Sequence, residues 1–130
     1  MRCVGPTLAR EEIAAIRKSL EFAPELEEAA ELFNLASNPT RLKIVFLLDR
    51  LKELCVCDLA EMLGVSVSAV SQHLAKLRAY GLTTTRRDAQ TIYYRLTDHA
   101  FLGKLRSVHF DGIEFDVGAN ADVTGQQRNA

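Results

Sequence analysis

Apolar residues recur at helical spacing through the first part of the chain, and prolines interrupt the pattern. Such spacing puts apolar side chains on one face and predicts amphipathic helices. The first helix is predicted over residues 9–22, the second over 25–36, and the third from Pro39 to about Leu51 with Asn38 as its cap. The apolar face of the first helix consists of Ile13, Ile16 and Leu20.

Two shorter helices follow, joined by a turn that contains glycine. One is predicted over Val56–Leu63 and ends at Gly64, a residue type that adopts the left-handed conformation found at helix ends. The next is capped by Ser66 and runs over Val67–Tyr80. Its core-facing stripe consists of Val70, Leu74 and Leu77. A pair of short helices with this turn, the second polar on its outer face, is typical of a helix-turn-helix.

The pattern then changes from helical to strand-like. Residues 82–87 and 91–96 are rich in threonine, isoleucine and tyrosine, and the polar residues 88–90 between them supply a turn, although no glycine marks a tight two-residue type. Thr97-Asp98 is expected to cap a last helix over about 98–109. A hairpin that follows the second helix of a helix-turn-helix, the helix that reads DNA, is called a wing. The predicted fold is therefore mainly α with a small β-hairpin, a winged helix-turn-helix.

A length of 130 residues corresponds to about one domain. We expect residues 1–24 to form an arm and dimerisation helix, 25–110 the winged domain with a C-terminal dimerisation helix, and 111–130 a flexible tail. The apolar stripes of the first and last helices exceed what a three-helix core can cover, which favours a homodimer. The chain has no apolar run near the ~18 residues that span a bilayer, so no membrane contact is expected and the predicted location is cytoplasmic.

The formal net charge of -1 hides an uneven distribution. Most of the acidic residues lie in the first 61 positions, whereas residues 66–95 hold five cations and only one acid, Asp88. A local basic surface of this kind can meet DNA phosphates, while the acidic remainder limits indiscriminate binding.

Five segments resemble the ArsR/SmtB family: NPTRLKI (38–44), ELCVCDLA (53–60), GVS (64–66), VSQHL (70–74) and YYRL (93–96). The family consists of dimeric winged-helix repressors that release DNA when they bind a metal or metalloid. The resemblance implies that this chain binds double-stranded operator DNA as a homodimer. The two reading helices would then contact half-sites about one helical turn apart.

The resemblance also implies roles for individual residues at the DNA. Ser68, Ser71, Gln72 and His73 match the exposed positions of the recognition helix, where hydroxyl and amide groups pair with base edges. The positions expected to meet the DNA backbone or minor groove are Lys76, Arg78, Arg86, Arg87 and Gln90. A solvated basic face is the alternative interpretation, and Tyr93 and Tyr94 are expected to pack the wing rather than to touch DNA.

Cys55 and Cys57, separated by one residue, lie at the start of the helix-turn-helix, just upstream of the helix that would read DNA. Thiolates are soft ligands that favour ions such as As(III), Cd(II), Pb(II) and Hg(II), and two of them leave most such ions under-coordinated. The resemblance to the cadmium-responsive branch of the family implies that Cys3 completes the site, with the pair contributed by the partner subunit. That branch carries two N-terminal cysteines where this chain has one. The resemblance to the arsenic-responsive branch implies instead a Cys-x-Val-Cys-like run on the helix-turn-helix itself, and both models give Cys55 and Cys57 the same role. An inert pair of thiols is the alternative.

Other functions fit the residues less well. A protein-interaction winged helix that does not bind DNA is disfavoured by Arg86, Arg87 and the polar face of the reading helix. A thiol redox sensor on the same scaffold remains open, because oxidation could also change DNA affinity. A thiol enzyme is disfavoured, since the chain has no Cys-x-x-Cys and no nucleotide-binding loop. Zinc sensing through the last helix is disfavoured as well: Asp98 and Glu114 match the outer ligands of that family site, but Ala100 and Asp111 occupy its histidine positions. His99 and His109 are out of register and are interpreted as surface or interface residues.

Overall fold

The computed structural model describes residues 4–110, 112 and 113. Within these residues the chain forms six α-helices and one three-stranded antiparallel sheet. In chain order the elements are α1 (Arg10–Glu21), α2 (Pro24–Ala36), α3 (Pro39–Leu51), β1 (Leu54–Cys55), α4 (Val56–Leu63), α5 (Val67–Ala79), β2 (Thr83–Asp88), β3 (Thr91–Leu96) and α6 (Ala100–Leu105). The mainly α, winged helix-turn-helix fold is therefore confirmed. No described helix is long and apolar enough to cross a membrane.

Three residues predicted to start or end helices do so in the structure. The side-chain oxygen of Asn38 accepts a hydrogen bond from the Arg41 backbone N–H at 3.0 Å at the start of α3. Ser66 Oγ accepts from the Ala69 N–H at 3.0 Å and so caps α5. Gly64 ends α4 with φ of 67°, a conformation that glycine adopts without steric cost. Local capping chemistry thus fixes the start of α3 and the turn between α4 and α5.

The hydrophobic core lies between α3, α4, α5 and the sheet. The largest fully buried side chains are Ile44, Leu48, Leu54, Leu59, Val70, Leu74, Leu77 and Leu82. The stripe predicted for α5 is buried in full, which leaves the opposite face of that helix to solvent.

The sheet has the order β1-β3-β2, with both neighbouring pairs antiparallel. Strand β1 was not predicted, because two residues carry no periodic signal and the strand exists only through its pairing with β3. The wing turn is also shorter than the predicted turn over residues 88–90. Asp88 pairs directly with Thr91, so the turn has two residues, and Ala89 has a positive φ of 55° where glycine is usual.

The last helix is shorter than predicted. α6 ends at Leu105 and continues as a π-helical turn over Arg106–Phe110. Its cap is His99, whose Nδ1 accepts from the Phe101 N–H at 3.1 Å, and not Thr97-Asp98 as expected. Thr97 Oγ1 instead donates to the Gly81 carbonyl at 2.6 Å and so joins the end of the wing to the end of α5.

Residue contacts divide the chain after Glu31. In the first unit, α1 has no buried residue. The second unit holds the core and the sheet. The three-part division predicted from the sequence stays a prediction, and the tail predicted over 111–130 lies outside the described residues except for Gly112 and Ile113.

Candidate DNA interface and thiol site

The outer face of α5 carries the residues predicted to contact DNA. Ser68, Ser71 and Gln72 are exposed, and Lys76 and Arg78 are exposed toward the end of the helix. All five lie off the buried stripe, because Val70, Leu74 and Leu77 occupy the core side. The face therefore offers hydroxyl and amide groups in its first turns and two cations in its last turns.

His73 differs from its neighbours because it is only half exposed. Desolvation lowers the pKa of this imidazole below its ordinary value of 6.5, and the charges of Arg41 and Lys76 lower it further. His73 is thus a neutral side chain near pH 7, with one ring nitrogen that donates and one that accepts.

Arg41 of α3 was not singled out by the sequence analysis, although it lies in one of the five segments. Its side chain is buried and donates from Nη1 to the Leu35 carbonyl at 2.9 Å. The Nε atom has no hydrogen-bond partner among the described residues. A buried cation without a carboxylate partner there contributes positive potential beside α5.

The three predicted wing residues are exposed but are not equivalent. Gln90 lies in the two-residue turn, and Arg87 lies on β2 opposite Ile92. Arg86 lies opposite Tyr93 and forms two hydrogen bonds with the Glu53 carboxylate, from Nε to Oε2 at 3.0 Å and from Nη2 to Oε1 at 2.6 Å. Its guanidinium carbon also lies 4.8 Å from the centroid of the Tyr93 ring.

Tyr94 is half-buried against the core, as expected for a residue that packs the wing. Tyr93 lies on the opposite face of the sheet from Tyr94, and its ring packs against the Arg86 guanidinium. Glu53 was missed as a functional candidate, because an acid beside a DNA interface gives no signal in a sequence unless its partner is known.

Cys55 is at once the last residue of β1 and the residue that precedes the first turn of α4. Cys57 is exposed in that first turn, whereas Cys55 is half-buried. Burial raises the pKa of the Cys55 thiol above its ordinary value of 9.0; the backbone N–H groups of Asp58 and Cys57 oppose the shift, and the Asp58 carboxylate adds to it. The two thiols thus lie at the junction between the sheet and the helix-turn-helix, and binding a soft ion at Cys55 must displace a proton.

The described residues supply two of the ligands that a soft ion needs. Among residues 4–110, 112 and 113, no three His, Cys, Asp or Glu side chains are grouped so as to hold a metal. Cys3 lies outside the described residues, as do Asp111 and Glu114. The donor set therefore suits a thiophilic ion in its chemistry, and a third ligand has to come from elsewhere.

Comparison with known proteins identifies several relatives. The pattern of the family described as "Bacterial regulatory protein, arsR family" matches residues 38–85. The transcriptional repressor SmtB homolog of Synechocystis sp. is 35% identical over 106 residues, which cover 82% of this chain and 80% of that protein. The arsenical resistance operon repressor of Escherichia coli K12 is 46% identical over 69 residues, 53% of this chain and 59% of that protein. Among solved structures, reduced HlyU from Vibrio cholerae is similar, with a TM-score of 0.57 and 39% identity over 68% of this chain and 96% of HlyU.

Proposed function

Because the chain belongs to the ArsR family of bacterial regulatory proteins, we propose that it is a transcriptional repressor that leaves its operator DNA when a soft metal or metalloid ion binds Cys55 and Cys57. One observation carries the thiol part of the proposal. Cys55 belongs both to the strand that pairs with the wing and to the start of α4. A ligand at this residue acts on both DNA-binding elements.

Base recognition falls to the exposed residues of α5. Ser68, Ser71, Gln72 and the neutral His73 offer both donors and acceptors to base edges in the major groove. Lys76 and Arg78 of α5, with Arg87 and Gln90 of the wing, reach phosphates, and such contacts fix the position of the protein on the duplex.

The proposed inducers are As(III), Cd(II), Pb(II) and Hg(II). The Cys55 and Cys57 thiolates would hold the ion, and the third ligand is Cys3, from the same or a partner subunit. Three sulfurs suit trigonal As(III), Pb(II) and Hg(II), and a further oxygen or nitrogen suits Cd(II). The Escherichia coli relative is an arsenical resistance operon repressor, which favours arsenic within this group.

Release follows from the position of the thiols in the fold. α4 packs against α5, and β1 pairs with β3 of the wing. Holding both thiolates on one ion fixes the backbone between β1 and the first turn of α4. An ion that binds the released conformation more tightly than the DNA-bound one shifts the population by that difference in affinity.

Redox sensing by the same thiols is the weaker alternative. Oxidants react with the thiolate, and the raised pKa of Cys55 lowers the thiolate fraction near neutral pH. An exposed Cys57 alone would react without engaging the strand that pairs with the wing.

The test is a titration of operator-bound protein with each of the four ions, followed by fluorescence anisotropy of the DNA. Cys55→Ser and Cys57→Ser should bind operator as the unchanged chain does. The factor by which the ion lowers operator affinity should be at least about tenfold smaller in each variant, because coupling free energies of this kind are typically about 1–3 kcal/mol. Release that persists in both variants would refute the thiol site.

The matched control is His99→Asn, which keeps a capping acceptor on α6 and removes an imidazole. It should release DNA as the unchanged chain does. Cys3→Ser tests the third ligand by itself, since its loss should weaken ion binding but leave operator binding intact.

We further propose that the repressor is a homodimer. On α1, Ile13, Ile16 and Leu20 are exposed along one side, although the helix is amphipathic. α6 buries Phe101 and Leu102 within its own chain, whereas α1 buries none of its residues. Pairing of these surfaces around a twofold axis would present two reading helices to a palindromic site.

A further inference from the structure

The sheet aligns three residues in one row across its three strands. Cys55 pairs with Tyr93, and Tyr93 pairs with Arg86. Residues directly opposite each other on neighbouring strands share a face of the sheet. The side chain of Arg86 therefore lies on the same face as Tyr93, and Glu53, two residues before Cys55, reaches it from the other edge.

The Glu53 carboxylate occupies the Nε–Nη2 edge of the Arg86 guanidinium, one of the edges through which an arginine binds phosphate. Its two oxygens receive the Nε and Nη2 protons at 3.0 and 2.6 Å, the two-pronged geometry that arginine forms with carboxylates and phosphates alike. The Tyr93 ring covers one face of the same group. The side chain of Glu53 is 18% exposed and that of Arg86 is 47% exposed, so the acid is the better-fixed partner.

We propose that Glu53 is a residue that sets the DNA affinity of the wing, because it holds Arg86 away from the phosphate backbone and leaves Arg87 as the cation of this strand that meets DNA. Together Glu53 and Arg86 carry no net charge. A phosphate that approaches Arg86 has to displace a carboxylate of the same sign, which offsets the gain from the new contact.

Arg87 has the opposite environment. It follows Arg86 on β2, so its side chain points to the other face of the sheet, where it lies opposite Ile92. It is exposed, and no carboxylate lies within ion-pair distance of it among the described residues. Two adjacent arginines of identical chemistry thus differ in their availability to DNA.

The experiment measures binding to a random-sequence duplex of about 30 base pairs, between about 50 and 200 mM salt, because backbone contacts do not depend on sequence. Neither the operator nor an inducing ion is needed, so the result does not depend on the thiol site. Each phosphate contact adds about 0.9 to the slope of log affinity against log salt.

Glu53→Gln should free Arg86, raise affinity at low salt several-fold and steepen the slope by about 0.9 for each wing that contacts DNA. Arg86→Gln should leave the slope nearly unchanged, whereas Arg87→Gln should flatten it by about 0.9 per wing. The double variant Glu53→Gln with Arg86→Gln should lose the gain of Glu53→Gln, since that gain requires the freed arginine.

Asp88→Asn is the matched control, because it removes one acid from the same strand without releasing Arg86. Asp88 acts on Arg86 through charge without a hydrogen bond to it, so Asp88→Asn should change the slope by much less than Glu53→Gln does. Weaker or unchanged binding by Glu53→Gln would show that the pair orders the wing instead, and would overturn the proposal. Equal flattening by Arg86→Gln and Arg87→Gln would overturn it as well, whether or not Glu53→Gln folds.

Discussion

At the scale of single residues, His73 makes the stability of the protein depend on pH. Burial first, and then the charges of Arg41 and Lys76, lower the pKa of its imidazole in the folded chain. The unfolded chain takes up this proton near the ordinary value of 6.5 and the folded chain resists it. The stability contributed by neutral His73 is therefore present above that pH and is lost as the pH falls below it.

We expect His73→Gln to reduce the difference in unfolding free energy between about pH 7 and about pH 5. Urea unfolding followed by circular dichroism at both pH values measures the difference. An unchanged difference would mean that another group causes the loss at acidic pH. Arg41→Lys, which keeps the charge, serves as the control and should retain the pH dependence.

The two thiols of the candidate site should differ in reactivity. Cys57 is exposed, whereas Cys55 is half-buried and its pKa is raised by burial. In a Cys3→Ser background at about pH 7.5, a neutral alkylating reagent should modify Cys57 first, and mass spectrometry of the peptides gives the order. Faster modification of Cys55 would contradict the described environment. Urea should equalise the two rates, because unfolding removes the burial.

The sequence predicted those site residues whose role follows from their own helix. The exposed positions of α5 follow from the spacing of Val70, Leu74 and Leu77, since a buried stripe defines the opposite face. The sequence did not predict that Arg86 pairs with Glu53, because the two residues are 33 positions apart and meet only after the sheet forms. Contacts of this kind carry no periodic signal.

At the scale of elements, the helices were predictable because their starts and stops are local. Asn38, Ser66 and Gly64 act within one turn of their own positions. The end of α3 was less clear, since it is terminated by Lys52 with φ of 74°, where glycine or asparagine would have marked the change. Strand β1, which follows, was not predicted for a different reason: it exists only through its pairing with β3.

The wing turn allows a prediction of its own. Ala89 adopts a positive φ of 55°, which costs a residue with a Cβ atom about 1 kcal/mol relative to glycine. Ala89→Gly should therefore stabilise the protein by a few tenths to ~1 kcal/mol, the lower value reflecting the greater entropy of glycine in the unfolded chain. Urea unfolding measures the change. Gln90→Gly, at a position without positive φ, is the control and should destabilise; equal effects at both positions would show that the turn is not as described.

At the scale of the whole molecule, the charge is divided between surfaces. The chain as a whole carries -1, yet α5 and the wing expose several cations. The Glu53–Arg86 pair reduces the effective charge of the wing further. In the proposed homodimer, DNA affinity would depend on presenting two such surfaces at once, since one basic face on a nearly neutral chain makes few phosphate contacts.

The proposed dimerisation through α1 would provide that arrangement, and it can be tested without DNA. Ile16 and Leu20 are 51% and 60% exposed on one side of a helix with no buried residue. Ile16→Glu and Leu20→Glu would each place a charge in the proposed interface, and desolvating it should weaken association at least about tenfold. The core of the second unit should stay folded, because it buries neither residue.

Sedimentation equilibrium gives the association constant, and the thermal unfolding transition reports on the core. Lys18→Glu, on the polar side of α1, is the matched control and should leave association unchanged. An Ile16→Glu or Leu20→Glu variant that stays dimeric at the same concentration would place the interface elsewhere. A variant that becomes monomeric should also lose most of its affinity for a two-half-site duplex while keeping its weak binding to a single half-site, because each reading helix remains intact.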